Sequence, residues 1–153
     1  MKRMLQLLVT LIVVALALGV GRTVMVQWSG TQKEFLTGSL PSPMPDGFHK
    51  GSTAFYQGSW RGKTFNTKTN TGINMMGDPP VPAYPFRTYV TKGLRDTALD
   101  VLRIDYDSPE NSWYVRRVVD EIVQIAPGKY LGKIHLRVIP GFPFIVGFFR
   151  LEK

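Results

Sequence analysis

The chain contains no cysteine and only two histidines, His49 and His135. The first absence excludes disulfides, thiolate metal sites, a cysteine nucleophile and a lipidated N-terminal cysteine. The second leaves too few imidazoles for a multi-histidine metal centre. Also missing are a G-x-S-x-G elbow, a phosphate-binding loop and an H-E-x-x-H pair. Acidic residues are few, 11 against 19 Lys and Arg, for a net charge of +8. That excess falls to +5 once Lys2, Arg3 and Arg22, which flank an apolar run, are set aside. It favours anionic partners such as lipid headgroups. The cations are scattered among acids with no basic helix or aromatic RNA-binding motif, so nucleic acid is not an expected partner.

An apolar fraction of 44% with 20% charge describes a folded chain, and 153 residues leave room for one domain plus an anchor. Fifteen glycines and eleven prolines suit many short strands joined by tight turns.

The longest apolar stretch, Met4 to Val20, is broken only by Gln6 and Thr10 and is preceded by Lys2 and Arg3. Seventeen helical residues reach about 26 Å, slightly short of a hydrocarbon core of about 30 Å. Snorkelling by Arg22, the apolar Thr23–Val26 and an interfacial Trp28 extend the expected span to Val26. Two readings stay open. Ala15-Leu16-Ala17 fits the cleavage site of a signal peptide, whereas the apolar Leu18, Gly19 and Val20 just beyond it favour a retained single-pass anchor. Lys2 and Arg3 favour a cytoplasmic N-terminus, which puts the remaining chain on the extracytoplasmic, periplasmic side.

The expected organisation is an anchor over residues 1–28, a Pro/Gly linker over 29–51 and a β domain over 52–153. Strands are expected at Thr53–Gln57, Trp60–Phe65, Phe86–Thr91, Thr97–Tyr106, Trp113–Ile125, Lys129–Val138 and Phe144–Leu151. Gly77–Pro85, with four prolines, reads as an irregular connection. The fold class is mainly β: an antiparallel meander of about seven or eight strands closing into a small barrel behind one transmembrane helix.

Strand alternation over Trp113–Ile125 puts Trp113, Val115, Arg117, Val119, Glu121, Val123 and Ile125 on the more apolar face, expected to line the interior. An inward Arg117 is either paired with Glu121 or anchors a carboxylate or phosphate, unless a bulge flips the register. On the next strand His135 falls on the polar face with Lys133 and Arg137, while Tyr130 falls on the apolar one. The last strand is apolar on both faces. Either it is central and covered, or Phe142, Phe144, Phe148 and Phe149, with Trp28, contact a bilayer or a membrane partner. Asp105 and Asp107 share a strand face, which reads as a solvated edge rather than a carboxylate pair, and no catalytic or metal-ligating residue is assigned. His49 lies in the linker and is expected to be exposed.

Gly58-Ser-Trp60-Arg-Gly62-Lys63 is the most distinctive local pattern. It resembles the GxW signature of lipocalins, and more closely the GxWxG of nitrobindin-like and fatty-acid-binding-like small barrels of the calycin type. The resemblance covers about six residues, and Thr64 stands where the nitrobindin pattern has a third glycine. It implies a barrel that binds hydrophobic molecules, with Trp60 plugging one end. The nitrobindin variant would add haem held by a histidine near the C-terminus, where His135 is the candidate on the wrong face, so no cofactor is expected. Asp120–Val123 and Pro127–Lys133 resemble segments of membrane-anchored bacterial proteins, which implies no activity.

The functional expectation is a membrane-anchored barrel that binds an apolar or amphiphilic molecule such as a lipid, through Trp60, Trp113, Arg117 and Tyr130. The alternative is a non-catalytic accessory subunit of a membrane protein complex. Its partner subunits would meet the helix and the C-terminal strand.

Overall fold

In a computed structural model, which describes residues 1–56 and 58–153, one unbroken helix, α1, runs from Lys2 to Gln27. It is long and apolar enough to cross a membrane. Residues 2–18 are solvent-exposed throughout, while Thr23 and Val26 are buried against the rest of the chain. The helix therefore has two parts with different surroundings, where the sequence reading has a single span to Val26. The free part, Lys2 to Leu18, is about 25 Å long.

A second helix, α2 (Gly30–Thr37), follows directly, with the Ser29 side chain accepting from the Gln32 N–H as its N-cap. This corrects the linker expectation. Residues 29–51 hold a helix and most of a strand, because a capped turn with Phe35 on one face has an apolar wall to dock on. Phe35 is completely buried on Val101, Val123 and Leu131.

Eight antiparallel strands then close on themselves in sequence order: β1 (Gly47–Thr53), β2 (Trp60–Asn66), β3 (Thr71–Met76), β4 (Val81–Lys92), β5 (Asp100–Asp105), β6 (Val118–Ala126), β7 (Lys129–Ile139) and β8 (Phe142–Glu152). β8 pairs with both β7 and β1, so closure leaves no long free edge. The expected strand Thr53–Gln57 is instead the end of β1 followed by a bend, and Gln57 lies outside the described residues. The proline-rich connection shortens to Gly77–Pro80. β4 accommodates Pro82 and Pro85 because Tyr84, at φ 56°, forms a bulge where the register shifts opposite Ile73 and Asn74.

The meander places the β1–β2, β3–β4, β5–β6 and β7–β8 connections at one end, called the mouth, and the other turns at the base. The base is packed. Phe65, Phe86, Leu102, Ile104, Ile122, Tyr130 and Leu151 fill it, and Leu40 and Met44 pack against them. His49, expected in an exposed linker, is fully buried there in β1 between Phe65 and Tyr130. The outer wall is covered on one side by α2 and by loop 93–99.

The C-terminal turns of α1 attach to the mouth end of β8. Gly19 meets the Phe144 ring so closely that a Cβ there would lie 3.0 Å from it. Thr23 Oγ1 accepts from the Ile145 N–H at 2.9 Å, and Arg22 Nε donates to the Val146 carbonyl at 2.9 Å.

Candidate functional site

The upper half of the barrel holds an open cavity of about 320 Å³, at the small end of the range for ligand pockets. Its walls are mostly apolar: Phe55, Trp60, Met76, Val115, Val118, Ile134 and Phe149. Its floor is polar, made by Lys63, Asn74, Tyr106 and Asp120, each no more than 5% exposed.

Four strands supply one floor residue each or its neighbour. Lys63 on β2 points inward because it alternates with Phe65. Asn74 comes from β3 opposite the β4 bulge, Tyr106 follows the last residue of β5, and Asp120 lies on β6 between Val118 and Ile122. Gly62 permits this arrangement: its φ of 141° and the 2.0 Å from its would-be Cβ to the His49 carbonyl exclude any side chain.

Lys63 Nζ donates to Asn74 Oδ1 at 3.0 Å, to Asp120 Oδ2 at 2.9 Å and to the Tyr106 hydroxyl. Four aromatic rings, those of Trp60, Phe86, Tyr106 and Phe149, surround the ammonium with centroids 5.0–5.5 Å away. Burial pushes the Lys63 pKa below the usual lysine value against the pull of Asp120. Burial, reinforced by the Asp120 carboxylate, raises that of Tyr106 well above the usual phenol value, so the hydroxyl stays protonated. It donates to Asp120 Oδ2 at 3.0 Å.

The sequence-derived candidates scatter. Trp60 reaches the site: its ring lies over Gly51, stands edge-on to Phe149 at 5.5 Å, and its Nε1 donates to Asn74 Oδ1 at 3.0 Å. Tyr130 faces the interior but is packed into the base, away from the cavity. Trp113 and Arg117 belong to neither wall nor floor. They precede β6, Arg117 in the 3-10 turn Val115–Arg117, and both are exposed. The inward face of β6 is Val118, Asp120 and Ile122, not the face carrying Val119, Glu121 and Val123. Both faces are buried, one inside the barrel and one under α2, so apolar alternation does not separate them. Among the proposed membrane contacts, Phe149 is a pocket wall, Phe148 packs under α2 beside Phe35 at 6.0 Å, and Phe144 is buried against Gly19. Phe142 is half-buried, with Arg95 over its ring. Trp28 is 82% exposed but follows the docked turns, about 13 Å along the helix from Gly19.

A second charged cluster occupies the outer wall. Lys133 and His135 on β7 and Glu121 on β6 are all fully buried beneath loop 93–99 and α2. Lys133 pairs with Asp96, which also accepts from Gln32 at 2.9 Å. Glu121 accepts from the Leu94 N–H at 2.7 Å and from Arg103 at 2.9 Å. His135 Nε2 lies 3.8 Å from Glu121 Oε2. Burial, with Lys133, Arg103 and Arg95 nearby, holds His135 down at a pKa of about 3.

Lys63, Asn74, Tyr106 and Asp120 are absent from the sequence-derived candidates. The available signal was a charge alternating with apolar residues, Lys63 with Phe65 and Asp120 with Val118 and Ile122. Asn74 carries no such mark; it faces inward as the cross-strand partner of Lys63. No family model, no curated protein and no solved structure matches the chain. The chain is a closed eight-stranded antiparallel barrel behind an apolar helix, with a half-open interior floored by a buried Lys–Asp pair.

Proposed function

We propose that this chain is a membrane-held, lipocalin-like barrel that binds an apolar or amphiphilic small molecule in the mouth cavity, with the mouth turned toward the bilayer. The observation that carries the binding reading is the cavity itself. A small barrel that serves only as a spacer fills its interior with side chains. This one packs its base and leaves apolar walls above a polar floor open to solvent.

The orientation rests on where α1 attaches. The free helix joins the barrel at Gly19 beside Phe144, on the rim that carries the mouth. The same rim presents Phe55, Tyr56, Tyr84, Trp113, Tyr114 and Ile139 with large exposed surfaces. A groove beside the β7–β8 hairpin brings Trp113 together with Arg116, Arg117, Arg137 and Ile139. Aromatic and arginine side chains of this kind suit a membrane interface. The base end carries Lys68, Lys129 and Lys153, and the exposed hydrophobic residues near it, Phe48 and Val90, lie on strands β1 and β4 rather than in its loops. The positive Lys2 and Arg3 favour a cytoplasmic N-terminus and an extracytoplasmic barrel.

The full chain in mild nonionic detergent, carried into native mass spectrometry, tests the reading. A bound small molecule is expected, and it should disappear in Ile134→Trp, which fills the cavity. Retention of the adduct in that folded variant, or no adduct after exposure to membrane lipid extract, would overturn it.

A further inference from the structure

The floor of the cavity specifies the polar end of its occupant. We infer that the ligand carries a neutral hydrogen-bond donor, a hydroxyl above all, and is a lipid alcohol rather than a fatty acid or an amine. This rests on the binding reading above and goes one step further, to the chemistry of the head group.

Lys63 Nζ has three protons, and they go to Asn74 Oδ1, Tyr106 and Asp120 Oδ2. Asn74 Nδ2 has two, directed to the Tyr84 carbonyl at 3.3 Å and the Tyr106 hydroxyl at 3.1 Å. The single Tyr106 proton goes to Asp120 Oδ2, and that of Trp60 Nε1 to Asn74 Oδ1. Every donor on the floor is therefore engaged within the protein. The acceptors are engaged as well, with one exception: Asp120 Oδ1 is buried and has no partner among the described residues. A buried carboxylate oxygen left unpaired is costly, so a donor that reaches it is rewarded.

Charge narrows the donor. The Lys63 ammonium already neutralises Asp120, so a second cation on Oδ1 would meet Lys63 at close range in a medium of low dielectric. A carboxylate head would find no free proton on the floor and would face the Asp120 carboxylate. A ketone or ester accepts only and leaves Oδ1 unmet. A hydroxyl suits the site on every count, and the apolar walls above take the hydrocarbon.

The test uses the full chain in nonionic detergent with Trp28→Phe and Trp113→Phe, so that Trp60 on the cavity wall is the sole fluorescent tryptophan. Three probes are titrated: 1-decanol, decanoate and 2-undecanone. For each, the ratio of affinities between this protein and its Asp120→Asn derivative cancels partitioning into micelles. Asparagine keeps an oxygen for Lys63 and turns an amide donor toward the cavity. The expected result is at least tenfold weaker binding of decanol on that change and tighter binding of undecanone. The Lys63→Gln/Asp120→Asn double variant has no charge to strand and should show the same loss for decanol if the single variant fails to fold. Decanol affinity that is unchanged in a folded variant, or decanoate binding the unaltered floor more tightly than decanol, would overturn the head-group assignment while leaving binding intact. If no probe perturbs Trp60, the cavity takes no such molecule, and the binding reading falls together with this one.

Discussion

Lys63 and Lys133 are both almost fully buried, both meet one carboxylate, and both lie against aromatic rings, yet only Lys63 borders open space. Lys133 is sealed between the barrel wall and α2, with Phe35 over its ammonium and Asp96 shared with Gln32. Its network joins β7 to loop 93–99 and to α2, and Arg95 carries the connection on to Gln27 of α1 at 2.8 Å. That is the arrangement of a clamp. Lys63 ties four strands together at the level where packing stops and the cavity begins. Burial lowers the pKa of both lysines, so a perturbed ammonium does not by itself separate a site from a structural ion pair. What separates them is the adjoining cavity, which Lys63 and Asp120 line and Lys133, Asp96 and Glu121 do not.

The largest effect should come from breaking the sealed pair. Asp96→Ala strands the Lys133 ammonium under α2 and should cost about 3–5 kcal/mol of stability, read from urea unfolding in micelles. Asp120→Asn leaves Lys63 beside a cavity that water can enter, and should cost less, about 1–3 kcal/mol. Equal losses in the two variants would mean that the cavity does not hydrate Lys63, and the contrast between the sites would collapse.

Much of this was legible in the chain and some was not, for physical reasons. Closure of a β meander follows from strand length and spacing, and the apolar helix from composition. Which face of β6 points inward did not follow, because α2 covers the outer wall and makes both faces apolar. The helix itself had a mark, Ser29 three residues before Gln32, the spacing of a capping box, yet the glycines and prolines around it read as linker. Of the floor, Lys63 and Asp120 interrupt apolar alternation visibly. Asn74 is brought to them by cross-strand pairing opposite Lys63, and Tyr106 by a strand end, neither of which a local pattern encodes.

A smaller effect separates the clusters by pH. The folded chain holds His135 at about 3 while the unfolded chain returns it to 6.5. Between those values the unfolded state binds a proton that the folded state refuses, so stability falls as pH drops below about 6.5, by up to about 1.4 kcal/mol per pH unit. Glu121, 3.8 Å from His135 and raised by burial, acts in the opposite sense above 4.5. Buried His49, also lowered, acts in the same sense as His135. His135→Leu should therefore shrink the loss of stability between pH 7 and pH 5 by about 1–2 kcal/mol without abolishing it. An unchanged loss would mean that His135 is protonated in the folded chain, and that the outer cluster is not the dry clamp described.

The smallest effect on stability is the one that tests from which phase the proposed ligand would enter the inner site. Trp113 is 75% exposed on the mouth rim, so Trp113→Ala should alter unfolding by less than about 0.5 kcal/mol. Its surroundings should nonetheless be revealing once the protein is placed in a bilayer. With Trp28 and Trp60 changed to Phe, the remaining Trp113 should be strongly quenched by lipids brominated near the headgroup. A matching protein that keeps only Trp28, about 13 Å along the helix from Gly19, should be quenched weakly. Strong quenching at Trp28 and none at Trp113 would turn the mouth away from the membrane. The Lys63–Asp120 floor would then face water, and its occupant would have to arrive in solution, which an apolar alcohol does poorly. With the mouth on the bilayer, α1 both tethers the barrel and sets its height, and the cavity exchanges directly with the lipid phase.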